Sequence, residues 1–184
     1  MKVPNSVNTA QPSYDSVSKK AVGQSRRVVA VSGGFDPLHI GHVRMFQEAR
    51  KYGNYLVVIL NNDNWLRLEK GYSFMPENER KEIIENINGV DEVILTEHKE
   101  NTSDMSVCNE LRKLRPHVFA NGGDRKADNI PEVAVCREFG IEMVFNIGAG
   151  GKVQSSSWLL RDYLENAPCY CGSKEKFKDC CAKK

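Results

Sequence analysis

The sequence predicts an α/β fold: a five-stranded parallel sheet with helices on both faces, trailed by a small cysteine-rich tail. Three observations predict it. Short β-branched runs alternate with amphipathic stretches at the spacing of strand–helix–strand units. The glycine-rich and histidine-rich segments fall at the ends of those runs, where ligands sit in such sheets. Four of the six cysteines lie in the last 16 residues, a clustering that points to metal rather than to a disulfide framework.

The elements follow in order. Residues 1–26 are polar, basic and without period, and read as a disordered tail. VVAVSGGF (28–35) is a continuous apolar run ending at a glycine pair, the pattern of a strand buried on both faces. GHVRMFQEARKY (41–52) spaces Val43, Phe46 and Ala49 along one helical face, and Gly53 stops it. NYLVVIL (54–60) is the second strand. Pro76 suits the first turn of a helix running to Ile87, with Ile83, Ile84 and Ile87 as its buried stripe and Gly89 as its stop. DEVILT (91–96) is the third strand. Thr102, Ser103 and Asp104 offer caps for a helix burying Val107, Cys108, Leu111 and Leu114. HVFANG (117–122) is the fourth strand, Asn129 and Pro131 open a helix that Gly140 closes, and IEMVFNI (141–147) is the fifth. Ser155-Ser156-Ser157 then introduces a last helix, WLLRDYLEN. The whole is a Rossmann-like arrangement.

Composition narrows the class. At 184 residues, with 40% hydrophobic and 27% charged content, the chain is long enough for its own core and is neither disordered nor fibrous. No apolar run approaches the roughly 20 residues of a membrane helix, and the first residues lack the apolar stretch of a secretory signal. A soluble, cytoplasmic protein without membrane contact is expected. The net charge of +2 hides a division: residues 1–27 carry +4, residues 28–167 carry −5 and residues 168–184 carry +3. An acidic middle argues against a broad nucleic-acid face on the main domain. Phosphates would have to be met by local devices: helix N-termini, glycine turns and individual His or Lys side chains.

Such devices converge after the first strand. In Ser32-Gly33-Gly34-Phe35-Asp36-Pro37-Leu38-His39-Ile40-Gly41-His42, glycines let the backbone approach a ligand, and two imidazoles three residues apart can meet one anion at a helix start. Imidazole can donate hydrogen bonds to phosphate and, when protonated, offset its charge. This stretch resembles the HxGH motif of the nucleotidyltransferase superfamily, in the form GxFDxxHxGH of its cytidylyltransferase-like branch. The resemblance covers roughly residues 28–165 and recurs in order. Leu68-Glu69-Lys70-Gly71 with Met75-Pro76-Glu77-Asn78-Glu79-Arg80 is similar to the loop and helix after the second strand of sugar-phosphate adenylyltransferases. Asn121-Gly122-Gly123-Asp124 is similar to their KGGD turn, and Ser155-Ser156-Ser157 to the ISTT element. Two departures stand out. Asn121 replaces the KGGD lysine. No arginine precedes the serines, so Lys152 is the nearby cation left to replace it.

The resemblance implies roles. His39 and His42 would hold the α-phosphate and its transition state, framed by Gly34, Phe35, Asp36 and Gly41. Lys70 and Arg80 would contact acceptor or triphosphate phosphates, with Lys152 in support. Ser155, Ser156 and Ser157 would take the β- and γ-phosphates, and Gly123 and Asp124 the base and ribose. Mg²⁺ would accompany the triphosphate. The reaction implied moves CMP or AMP from CTP or ATP to a small phosphorylated acceptor, a sugar or polyol phosphate, and releases pyrophosphate. The string His39-Ile40-Gly41-His42 also matches the HIGH signature of class I aminoacyl-tRNA synthetases, but no KMSKS-like string appears and there is no room for tRNA-binding domains.

The tail stands apart. Cys169, Cys171, Cys180 and Cys181 form CxC, eight residues, CC, four thiolates suited to a closed tetrahedral structural Zn²⁺. About 17 residues cannot build an apolar core, so metal binding would supply the folding energy. The string resembles the SEC-C motif. The expected division is therefore a nucleotidyltransferase domain over 27–166 and a separable zinc module over 167–184, whose lysines would suit an acidic protein or nucleic-acid partner. Homodimer formation is compatible with this reading. The rival expectation is a non-catalytic nucleotide-binding adaptor in which the tail docks a partner.

Overall fold

The computed structural model describes residues 25–123, 125, 130–148 and 155–183. Residues 1–24 of the expected basic tail therefore lie outside the described residues, as do Asp124 and Lys152. Five strands form one sheet: β1 (Val28–Gly33), β2 (Tyr55–Leu60), β3 (Glu92–Leu95), β4 (Val118–Gly122) and β5 (Glu142–Ile147). Their order is β3-β2-β1-β4-β5 and every pairing is parallel. The chain thus winds outward from β1 in both directions. The crevice between β1 and β4 is the switch point at which ligands bind in this architecture.

Strand periodicity divides the core in two. Val29, Val31, Leu56, Val58, Leu60, Val118 and Ala120 face one layer, packed by Phe46 and Ala49 of α1 (Ile40–Ala49) and Ile84 of α3 (Glu77–Glu85). Ala30, Ile59 and Phe119 face the other, packed by Leu111 of α4 (Cys108–Leu114) and by Val135 and Cys136 of α5 (Glu132–Phe139). Burial on both sides is why these strands read as unbroken apolar runs. No helix among the described residues is long and apolar enough to cross a membrane.

Three local expectations change. A further helix, α2 (Asp63–Lys70), follows β2, capped by the Asn62 side chain accepting from Trp65 N and ended by Gly71 at φ 82°. Its single fully buried residue, Leu66, left too faint an apolar stripe for the pattern to register. On α3 the buried stripe is narrower than expected: Ile84 is buried, whereas Ile83 is 44% exposed. Helix α4 starts at Cys108, not at Thr102–Asp104. There the Asp104 carboxylate accepts from Ser106 N, and the Ser106 hydroxyl accepts from Cys108 N, so the polar cluster builds a turn instead of the cap.

Helix α6 (Ser156–Asn166) closes the series, opened by Ser155, whose hydroxyl accepts from Trp158 N. The tail folds back onto the end of this helix: Phe177 N donates to the C-cap residue's carbonyl, Ala167 O, at 2.9 Å, and Lys176 Nζ crosses the expected boundary to Asn166 Oδ1 at 3.2 Å.

Candidate active site

Both histidines line a cleft of about 290 Å³ at the carboxyl ends of β1 and β4. His39 is the N-cap of α1, and its Nδ1 accepts from Gly41 N at 3.1 Å. His42 Nδ1 accepts in turn from His39 N at 3.3 Å. Each Nδ1 is therefore an acceptor, so a neutral ring carries its proton on Nε2 and offers it as a donor. The rings stack, with centroids 3.7 Å apart. Burial, then His39, then Lys70 push the His42 pKa down to about 3; burial and Lys70 lower that of His39. His42 is thus a neutral donor at physiological pH. Gly41 is required by this arrangement, since a Cβ there would stand 2.8 Å from the His39 ring. Phe35, at φ 48°, is buried and sets its ring edge-on to His42 with centroids 5.0 Å apart, so it fixes the imidazole from behind.

Arg80 departs from expectation. It is fully buried, and all three nitrogens of its guanidinium are committed: Nε to Met75 O, Nη1 to Gly34 O and Asn61 O, and Nη2 to the Asp63 carboxylate at 2.6 Å. Such a side chain cannot also grip a phosphate. It ties the glycine turn to the end of β2, the start of α2 and the loop after it. Asp36 is likewise buried, accepting from Phe74 N and Met75 N, and acts on the loop, not on a ligand. Lys70 does reach the cleft; its Nζ donates to Asp36 O at 3.0 Å, and desolvation lowers its pKa.

Gly34, Gly123 and all three serines line the same cleft. The serine hydroxyls are not equivalent. Ser155 is spent on its cap, Ser156 Oγ donates to Pro37 O at 2.8 Å, and Ser157 is exposed. Asn121, in the place of the KGGD lysine, is buried, with Nδ2 donating to Phe119 O.

Two cations in the cleft went unremarked in the sequence. Arg44 lies two residues beyond His42 on α1, and Arg125 reaches from beyond β4 to place Nη1 3.3 Å from Ser32 Oγ at the end of β1. Arg125 therefore bridges the switch-point crevice. A lone arginine just beyond a glycine pair carries no pattern of its own in the sequence.

The four tail cysteines meet, with all four sulfurs within 4.8 Å of one another. Hydrogen bonds from Ser173 bring the Cys171 thiol down to about 6, while its bond with Cys169 pushes Cys181 up to about 12. Four thiolates cannot share so small a space without a cation, and an all-sulfur set of this size fits Zn²⁺.

A parallel sheet whose first strand ends in a stacked HxGH pair defines a Rossmann-like α/β domain of the HxGH class. The chain belongs to the cytidylyltransferase-like family, whose model matches residues 30–147, and the SEC-C motif matches residues 166–183. It is 32% identical over 146 residues to the bifunctional protein HldE of Geobacter sulfurreducens, a match covering 77% of this chain and 29% of that protein. It is 37% identical over 103 residues to the FAD synthase of Ferroglobus placidus, covering 56% of this chain and 62% of that enzyme. The chain thus spans less than a third of the HldE protein and less than two thirds of the FAD synthase. The lipopolysaccharide core biosynthesis protein of Thermoplasma volcanium superimposes with a TM-score of 0.55 at 24% identity, over 67% of this chain and 98% of that one, a likeness of fold.

Proposed function

We propose that the chain is a nucleotidyltransferase that moves AMP or CMP from the triphosphate to a small phosphorylated acceptor, a sugar or polyol phosphate. The observation that carries this reading is the pair of stacked imidazoles, each with Nδ1 held by a backbone amide and Nε2 left to donate. A phosphate oxygen of the acceptor attacks the α-phosphorus, the bond to the bridging oxygen of the β-phosphate breaks, and pyrophosphate leaves with that electron pair. No protein nucleophile is needed: the His39 and His42 donors stabilise the charge that builds on the α-phosphate, and the cleft fixes the reactants in line. Gly34 and the start of α6 receive the triphosphate backbone-first, with the Ser156 amide and the exposed Ser157 hydroxyl at its outer phosphates. Mg²⁺ would enter with the triphosphate and neutralise part of its charge. The tail would hold structural Zn²⁺ through Cys169, Cys171, Cys180 and Cys181.

Arg80 being occupied, the cleft cations left to the phosphates among the described residues are Lys70, Arg44 and Arg125. Arg125→Met is expected to raise the KM for the triphosphate about tenfold or more with a much smaller change in kcat, and Arg125→Lys to recover part of it, because a lysine keeps the charge but not the fork. Steady-state kinetics with the nucleotide varied checks this. The function itself is tested by screening ATP and CTP against a panel of sugar and polyol phosphates for pyrophosphate release. Triphosphate binding without release across the panel would leave a non-catalytic binding domain.

A further inference from the structure

We infer that the cysteine knuckle is a positioning device for the triphosphate end of α6, so that metal occupancy of the tail and nucleotide affinity are coupled. This rests on the functional reading above for the identity of the ligand. Its structural half stands on α6 alone.

Helix α6 has 11 residues, and along it only Ser156 is buried; Trp158, Leu159, Tyr163 and Leu164 are each more than a third exposed. A helix that short is marginal without tertiary support. Both of its ends are tied to neighbouring segments. At the first turn, Ser156 Oγ donates to Pro37 O in the loop before His39. At the last, the tail folds back: Phe177 N takes the Ala167 carbonyl, Lys176 Nζ reaches Asn166 Oδ1, and Pro168 pairs with Lys176 in an antiparallel bridge. A lysine beside the final carbonyls also suits the negative end of the helix.

Between those ends, one groove is lined by Leu160 and Leu164 of α6, by Phe177 and Ala182 of the tail, by Ser157 and by Tyr72. Tyr72 lies two residues after Lys70. The tail therefore holds the end of the helix that presents the serines and shares this groove with the loop that follows the lysine. Phe177 sits three residues before Cys180, and the backbone between them is a single 3₁₀ turn, Phe177–Asp179. Drawing the four sulfurs around a metal fixes that turn, the turn fixes Phe177, and Phe177 closes the far end of α6. Phe177 acts through the helix and touches no reacting atom, so it is a positioning residue.

Linkage makes the coupling reciprocal: a metal that steadies the triphosphate's helix must itself be held more tightly when the triphosphate is bound, by the same factor. Full-length protein, zinc-loaded and chelator-stripped, is titrated calorimetrically with ATP and with CTP. Zinc release to a colorimetric chelator is then followed with and without each nucleotide. Hydrogen exchange of the 155–166 segment is read in both forms without any nucleotide. Stripping should weaken the preferred triphosphate about tenfold, saturating nucleotide should slow zinc loss by a similar factor, and 155–166 should lose protection while β1 and β4 do not. Phe177→Ala, with its cysteines intact, should keep one zinc per chain, loosen the same segment and raise the triphosphate KM with little change in kcat. Equal protection of 155–166 in loaded and stripped protein would overturn the inference, as would equal triphosphate affinity or a tail that takes no zinc. Zinc-dependent protection in a protein that binds neither nucleotide would uphold the positioning and sink the functional reading instead.

Discussion

His42→Ala is expected to lower kcat by at least about 10²-fold, the usual cost of losing one preorganised donor at a developing charge. The triphosphate's dissociation constant should move far less. The reason is geometric. His42 Nδ1 is occupied by His39 N, its ring is stacked on His39 and edged by Phe35, and Nε2 is left with one direction in which to donate. A donor fixed in this way does most for a charge that appears only in transit. His39→Ala should cost a similar factor in turnover and also stability, because that side chain caps α1. The pH dependence separates this picture from a charged-histidine one. With its pKa held near 3 by burial, His39 and Lys70, His42 in the free protein is neutral throughout the neutral range. The dependence of kcat/KM on pH should therefore lack a limb near 6.5 that His42→Ala removes. If turnover instead falls as pH rises through 6.5, and His42→Ala abolishes that fall, the imidazolium is the working form and the neutral-donor assignment is wrong. Folding carries its own sign. A histidine kept neutral in the fold but free to protonate when unfolded makes the protein less stable as pH drops below about 6.5.

The fold was legible where burial is two-sided. β1, β2 and β4 are covered by helices on both faces, so they open on apolar runs (VVAV, YLVVIL and VFA) that permit few other readings. Helix α2 was not legible, because only Leu66 is fully buried and the remainder of DNWLRLEK is polar; its Asn62 cap and Gly71 stop were present but had no stripe between them. The cleft was legible at the histidines, where spacing restricts geometry. It was not legible at its arginines. In Glu77-Asn78-Glu79-Arg80-Lys81-Glu82 an arginine looks like one more surface charge or a phosphate contact. Its burial follows from three carbonyls converging from segments far apart in sequence, which no local pattern encodes. Arg125 is the mirror case: its use depends on β1 and β4 lying side by side, a fact of topology.

Arg80→Met should therefore act on stability first. Breaking a buried ion pair by removing one partner typically costs about 3–5 kcal/mol, because the other charge is left without compensation. Here Asp63 would lose its 2.6 Å partner and keep the more distant Arg67 at 3.9 Å, and the carbonyls of Gly34, Asn61 and Met75 would lose their buried donor. For a domain of this size, that corresponds to a fall in Tm of roughly 10–20 °C. Arg80→Lys should recover only part of it, since one ammonium cannot reach four acceptors spread around a planar fork. The pH profile identifies the pair. Burial acts to raise the Asp63 pKa, but hydrogen bonds from Arg80 and Ser73 outweigh it and hold the carboxyl below its usual value. A carboxyl depressed in the fold contributes stability above its unfolded pKa of about 3.9 and loses that contribution as pH falls through the folded value. The stability gap between the native protein and Arg80→Met should accordingly be widest near neutrality and shrink below about pH 4. Thermal unfolding across that range measures it. An Arg80→Met protein that melts with the native one yet binds triphosphate more weakly would return Arg80 to the phosphates. The buried geometry predicts the reverse: a protein that melts early and, while folded, presents a cleft whose glycine turn, β2 end and α2 start are no longer tied together.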